Sequence, residues 1–197
     1  MSATRLLVLG AVHILQPAHG YLVMRELSTW KVDEWANLKP GSIYNALRSL
    51  TKGGLLTEVR EEGGSGGGKS VYRLTPDGDI EFERLVRQAL WELHPWDPAM
   101  LPAGISFWTV LTREEVLGAL AARQTQITAW LSANVYAEDG IRRSPTTPDH
   151  VIEHFRLAGS RMRGELEWTE GAARRVKDGE YAFRGEDFGS YFPPRPE

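Results

Sequence analysis

The sequence predicts a mainly α-helical chain with one small β-hairpin, and three observations point there. A short helix with a start signal, a stop signal and two chemically different faces spans Pro40 to Lys52. Directly after it, two strand-like runs flank a glycine-rich loop. Beyond a proline-rich break, two long apolar stripes repeat at helical spacing. A helix followed by a protruding hairpin is the winged helix-turn-helix arrangement, in which the helix enters the major groove of DNA and the wing touches neighbouring backbone or minor groove. The predicted architecture is therefore a winged helix-turn-helix followed by a helical dimerisation domain.

The elements follow in order. Residues 4–15 read as a helix with a broad apolar face of Leu6, Leu7, Leu9, Val12 and Ile14, broken by Gln16-Pro17-Ala18. His19 to Trp30 reads as a second helix using Leu22, Val23 and Leu27, and residues 31–39 form a connector with Val32, Trp35 and Leu38 facing inward. On the third helix, with Ile43 at zero and about 100° per residue, Leu47 and Leu50 lie within about 40° and Ala46 lies at the edge. Asn45, Arg48, Ser49 and Lys52 fall on the opposite side.

Leu55 to Glu61 and Ser70 to Thr75 are the strands, with the loop from Glu62 to Lys69 between them. Leu55, Thr57 and Val59 share one side of the first strand, Tyr72 and Leu74 one side of the second, so the hairpin is expected to have a half-buried face. The loop is longer than a two-residue turn and is expected to protrude. Thr75-Pro76 supplies an N-cap and a first-turn proline for a helix reaching about Leu93. His94-Pro95-Trp96-Asp97-Pro98 ends it. The expected domains are 1–93, a hinge at 94–104 bearing Pro95, Pro98 and Pro102, and 105–197.

Thr112-Arg113-Glu114-Glu115 is a capping box. Leu117, Leu120, Gln124, Ile127 and Leu131 then make a stripe up to about Tyr136, followed by a polar loop at 137–147. Thr147-Pro148 starts a last helix with Ile152, Phe155, Gly159, Met162 and Leu166 on one side, running to about Lys177. Such narrow stripes resemble coiled-coil seams, which pair with another chain or with each other. The expected dimer contacts are Leu117, Leu120, Ile127, Leu131, Ile152, Phe155 and Met162. Tyr181, Phe183, Phe188, Tyr191 and Phe192 in the tail are expected to dock on these helices.

Composition narrows the function classes. With 42% hydrophobic and 25% charged residues the chain has an ordinary globular balance, which excludes a disordered polypeptide. No apolar run approaches the roughly 20 residues of a membrane span. Leu6 to Val12 is followed by His13 and Gln16 and reads as core, not as a signal peptide. The absence of cysteine excludes disulfides and thiol catalysis and fits a cytoplasmic protein. The net charge of −3 is unevenly divided: +2 over residues 1–78 and −5 over 79–197. That asymmetry fits DNA binding by one end, with few phosphate contacts per subunit and hence a dimer for useful affinity.

Three pieces in register resemble the PadR family of bacterial transcriptional regulators: His19-Gly20-Tyr21; Pro40-Gly41-Ser42-Ile43-Tyr44 with Leu47, Leu50 and Gly54-Leu55; and Tyr72-Arg73-Leu74-Thr75-Pro76 with Gly78. The resemblance spans residues 3 to about 93. It implies a homodimeric DNA-binding protein, often a repressor, whose C-terminal helices dimerise and respond to a small molecule. The founding members respond to phenolic acids, while effectors vary across the family and do not transfer with the fold. No cofactor is expected.

The candidate DNA-binding residues are Lys39, Ser42, Tyr44, Asn45, Arg48, Ser49, Lys52, Lys69 and Arg73. Guanidinium and amide groups suit base edges, and Lys and Ser suit phosphates. Ser42 and Tyr44 stand at a helix start, whose free N–H groups favour a phosphate. Trp91, Trp96 and Trp108 are candidate walls of a pocket for a small aromatic effector. The expected partners are a pseudo-palindromic duplex operator, a second copy of the chain and that effector, with no membrane. Two alternatives carry different chemistry. His150-Val151-Ile152-Glu153-His154 fits the inverted zinc-peptidase pattern, with His150 and His154 as metal ligands and Glu153 as base. The winged helix is otherwise a protein-interaction module.

Overall fold

The computed structural model describes residues 3–61 and 69–186. The wing loop between them, and Phe188, Tyr191 and Phe192 of the tail, lie outside the described residues. Contacts divide the chain into two compact units, residues up to 89 with 98–107, and 90–97 with residues from 108 onward.

The first unit is built round α1 (Ala3–Leu15), where Leu6 to Leu9, Ala11 and Val12 are all buried. A helix apolar on every side belongs in the centre, and α1 packs on α2 (Gly20–Thr29), α4 (Pro40–Lys52) and α6 (Met100–Ile105). A short α3 (Val32–Trp35) fills the connector, burying Val32. The segment 94–104, expected as a hinge, is instead divided. Met100, Leu101 and Ala103 are buried in α6, and the Phe107 ring lies so close over Gly10 that a Cβ there would sit 2.2 Å from it. Phe107 also meets Phe82 edge-on at 5.3 Å and Trp30 at 5.5 Å. Pro102 does not break α6, because it stands in the first turn, where an N–H has no intrahelical partner.

Three antiparallel strands, β1 (Ala18–His19), β2 (Leu56–Glu61) and β3 (Lys69–Leu74), lie in the order β1-β3-β2. Leu56 pairs with Leu74, Thr57 with Arg73, Glu58 with Tyr72 and Val59 with Val71. This register corrects the expected half-buried face. Directly opposed residues share a side, so Tyr72 and Leu74 stand with Glu58 and Leu56, not with Thr57 and Val59. Leu56 is buried and Val59 is 59% exposed. The Leu74 N–H donates to Gln16 Oε1 at 2.9 Å, tying β3 to the end of α1.

α5 (Pro76–Trp91) starts as its sequence predicts. The Thr75 hydroxyl accepts from the Gly78 N–H at 3.0 Å and donates to the Gly54 carbonyl at 2.7 Å. The Thr75 N–H donates to the Leu55 carbonyl at 3.1 Å. A Cβ on Gly78 would fall 2.0 Å from that same oxygen, so only glycine fits where the helix start crosses the turn after α4. Gly54 itself has φ +74°, a left-handed conformation that L side chains rarely adopt.

In the second unit α7 (Arg113–Arg143) and α8 (Ile152–Lys177) form an antiparallel helical hairpin. The capping box is complete: Thr112 accepts from the Glu115 N–H, and the Glu115 carboxylate accepts from the Thr112 N–H at 2.8 Å. α7 continues through Arg143 where a loop from 137 was expected. Ala137 and Glu138 are good helix formers, and Arg142 and Arg143 oppose the negative C-terminal end.

Two polar contacts set the register. Arg123 Nε donates to Glu165 at 2.7 Å, and Asn134 Nδ2 donates to the Phe155 carbonyl at 3.1 Å. Arg123, 2% exposed, also donates to the carbonyls of Leu90 (3.0 Å) and Glu92 (3.1 Å), and Gln126 donates to that of Trp91 (2.9 Å). Side chains of α7 thus satisfy the terminal carbonyls of α5, the groups every helix end leaves open.

This hairpin also corrects part of the dimer expectation. Leu120, Ile127, Ile152 and Met162 are buried within one chain. Leu117, Leu131 and Phe155 are half-buried, and Val135, Tyr136 and Leu157 stand exposed on the same two helices. The two stripes are taken up first by each other. In the tail, Phe183 is buried and, with Tyr181, packs on Trp108. Arg113 binds Glu186 at 2.6 Å and the carbonyls of Val176 and Tyr181.

Candidate nucleic-acid interface

The fold leaves one face of α4 free. Ile43, Leu47 and Leu50 are buried, while Ser42, Tyr44, Asn45, Arg48, Ser49 and Lys52 are all exposed. Pro40 at the first turn starts the helix, and Lys39 just before it is extended and exposed. Among the described residues, the side chains of Lys39, Ser42, Ser49 and Lys52 make no hydrogen bond or ion pair within the chain. Arg48 donates to the Asn45 amide oxygen, one turn back. That bond aligns an amide and a guanidinium on one flank and leaves the rest of the guanidinium fork open. The Tyr44 ring rests against Gly20, where a Cβ would come within 3.0 Å, so Tyr44 both packs on α2 and stays partly exposed.

The hairpin stands beside this flank. Tyr72 is buried on β3, and its phenol lies within electrostatic reach of Arg48 and Tyr44 on α4 and of Glu58 on β2. Burial first, then the Glu58 carboxylate, raise the phenol above its ordinary value of 10.0, so it stays protonated. Ser70 donates to Glu58 across the strands. Arg73 is exposed and pairs with Thr57, on the other side of the hairpin from Tyr72. Lys69 opens β3, and its side chain lies outside the described residues. Arg60, exposed opposite Ser70, belongs with the cationic set although the sequence reading passed over it. Its signal was the alternation that puts it on the side of Glu58 and Tyr72.

The three tryptophans proposed as effector walls are not brought together. Trp91 is exposed and lies against Gly118. Trp96, also exposed, stacks on His154 at 4.9 Å with the rings 2° from parallel and meets Trp130 edge-on. Trp108 is buried against Trp168, Tyr181 and Phe183. Each ring is claimed by different neighbours. A separate open cavity of about 600 Å³ at the turn of the helical hairpin is lined by Ile141, Arg142, His150, Ile152 and Arg156 together with Asp149 and Glu153, and by none of these tryptophans.

The zinc reading fails on geometry. His150 lies in a 3-10 turn (Asp149–Val151) before α8 starts, the His154 ring is stacked on Trp96, and Glu153 accepts from Arg156. Among the described residues no three His, Asp or Glu side chains converge as a metal-binding set.

Residues 8–84, from the middle of α1 through the hairpin into α5, match the Transcriptional regulator PadR-like family. Among solved structures, this chain is similar to Bacillus subtilis PadR in complex with operator DNA, at 22% identity over 87% of this chain and 98% of that one, with a TM-score of 0.37. It is similar to smu.1604c from Streptococcus mutans UA159 at 14% identity, covering 90% and 98%, with a TM-score of 0.41. It is also similar to the PadR-like transcriptional regulator BC1756 from Bacillus cereus at 16% identity, covering 89% and 98%, with a TM-score of 0.35. No curated protein matches the chain. No described helix is long and apolar enough to cross a membrane.

Proposed function

We propose that this PadR-like chain is a sequence-specific DNA-binding regulator of transcription, acting as a homodimer and repressing where it occupies its operator. One observation carries the reading: among the described residues, Ser42, Asn45, Arg48, Ser49 and Lys52 line an exposed polar flank of α4, which packs beside the hairpin. Asn45 and Arg48 read base edges, Ser42, Ser49 and Lys52 hold phosphates, and Lys39 and the wing cations Arg60, Lys69 and Arg73 extend the charged track. Two copies present two such helices, which suit a pseudo-palindromic site with half-sites about one helical turn apart. The exposed apolar side chains of α7 and α8, with half-buried Leu117, Leu131 and Phe155, supply the dimer contact. Bacillus subtilis PadR has been crystallised with p-coumaric acid. For this chain a small aromatic effector acts by favouring one dimer geometry.

Selection of bound sites from random duplex DNA tests the reading. The expected result is an enriched inverted repeat. Arg48→Ala then costs about 1–3 kcal/mol on that site and relaxes choice at one position per half-site. Failure to enrich any sequence at low salt overturns sequence-specific binding and favours a protein partner for the winged helix.

A further inference from the structure

We propose that Glu58 is an electrostatic brake on the DNA interface, a carboxylate placed among donors that weakens binding to every duplex. The inference rests on the DNA-binding reading and adds to it a residue that works against affinity.

Glu58 is exposed on β2, directly opposite Tyr72, and its carboxylate accepts from the Ser70 hydroxyl. Tyr72 in turn lies within electrostatic reach of both Glu58 and Arg48. The carboxylate lies on the same side of β2 as Arg60, two residues along the strand, and β2 packs against α4, which carries Arg48 and Asn45. Its bond to Ser70 holds it there. Among the described residues, no Lys or Arg forms an ion pair with it.

A duplex brings a dense row of phosphates to this patch. Lys and Arg gain from releasing the counterions of those phosphates. A carboxylate at the same surface meets like charge, and the penalty does not depend on sequence because the phosphates carry none of it. Glu58 thus lowers the affinity that cations alone would provide, so that residence depends on the base contacts of both half-sites together.

Glu58→Gln is the test, because glutamine keeps the shape and still accepts from Ser70 while losing the charge. The full chain and the variant are titrated against the selected operator and against a scrambled duplex of equal length, across a salt series. The expected gain is about threefold to tenfold at low salt on both duplexes alike, shrinking as salt rises. Glu58→Lys moves both further the same way, and the thermal midpoint of the Gln variant matches the parent. Unchanged affinities overturn the proposal. So does a loss confined to the operator, which makes Glu58 an acceptor reading cytosine instead. A gain confined to one duplex overturns it as well. If the parent binds neither duplex, the DNA-binding reading falls and takes the brake with it.

Discussion

Arg123 is the residue on which most of the second unit turns. Its guanidinium is almost wholly buried, pairs with Glu165 and donates to two carbonyls at the end of α5. Removing one partner of such a pair strands the other without water. Arg123→Met is therefore expected to destabilise the protein by about 3–5 kcal/mol, measured by denaturant unfolding. Adding Glu165→Leu is expected to recover part of that loss, because no carboxylate is then left unpaired. The residue was visible in the sequence and still missed. Leu120, Arg123 and Ile127 follow helical spacing, and a cation within an apolar stripe was passed over for Gln124 beside it. Its meaning depends on Leu90, Glu92 and Glu165, which lie far away in the chain and have no signature that announces a partner. Arg48 and Asn45 were easier to read, because their partner is one turn away on the same helix.

At the scale of elements, caps were the most legible signals. Thr112 with Glu115 and Thr75 with Pro76 mark helix starts through local chemistry alone, and both helices begin there. The hairpin register was not legible from either strand separately, since alternation leaves the relative offset open. Leu56 and Val59 exchanged roles for that reason. Nor did prolines decide the hinge: Pro102 sits inside α6, and contacts with Gly10, Trp30 and Phe82 place Phe107 in the first unit. The joint between α4, the wing and α5 yields its own prediction. Gly78→Ala drives a methyl into the Leu55 carbonyl and is expected to cost about 3 kcal/mol by thermal or denaturant unfolding. A variant as stable as the parent would mean that α5 starts at a different distance from β2.

For the whole molecule, the question is how many chains make the working unit. Each helical hairpin already buries its principal stripe, yet Val135, Tyr136 and Leu157 remain exposed on α7 and α8. Sedimentation or light scattering is expected to give twice the chain mass of 22.1 kDa. Tyr136→Glu combined with Leu157→Glu is expected to return the protein to single chains with its helical signal intact, and to weaken operator binding at least tenfold as the two half-sites are no longer engaged together. A monomeric parent with full operator affinity would remove the dimer from the reading.

The turn at Gly54, Leu55 and Thr75 carries one more implication. Backbone groups of Gly54, Leu55, Thr75 and Gly78, with the Thr75 hydroxyl, weld the end of α4 to the root of the hairpin and to α5. Insertions there would spoil that junction. A lengthened knuckle would therefore swing β2 and β3 away from α4 and α5 at once, so the direction of the hairpin is set within a handful of residues.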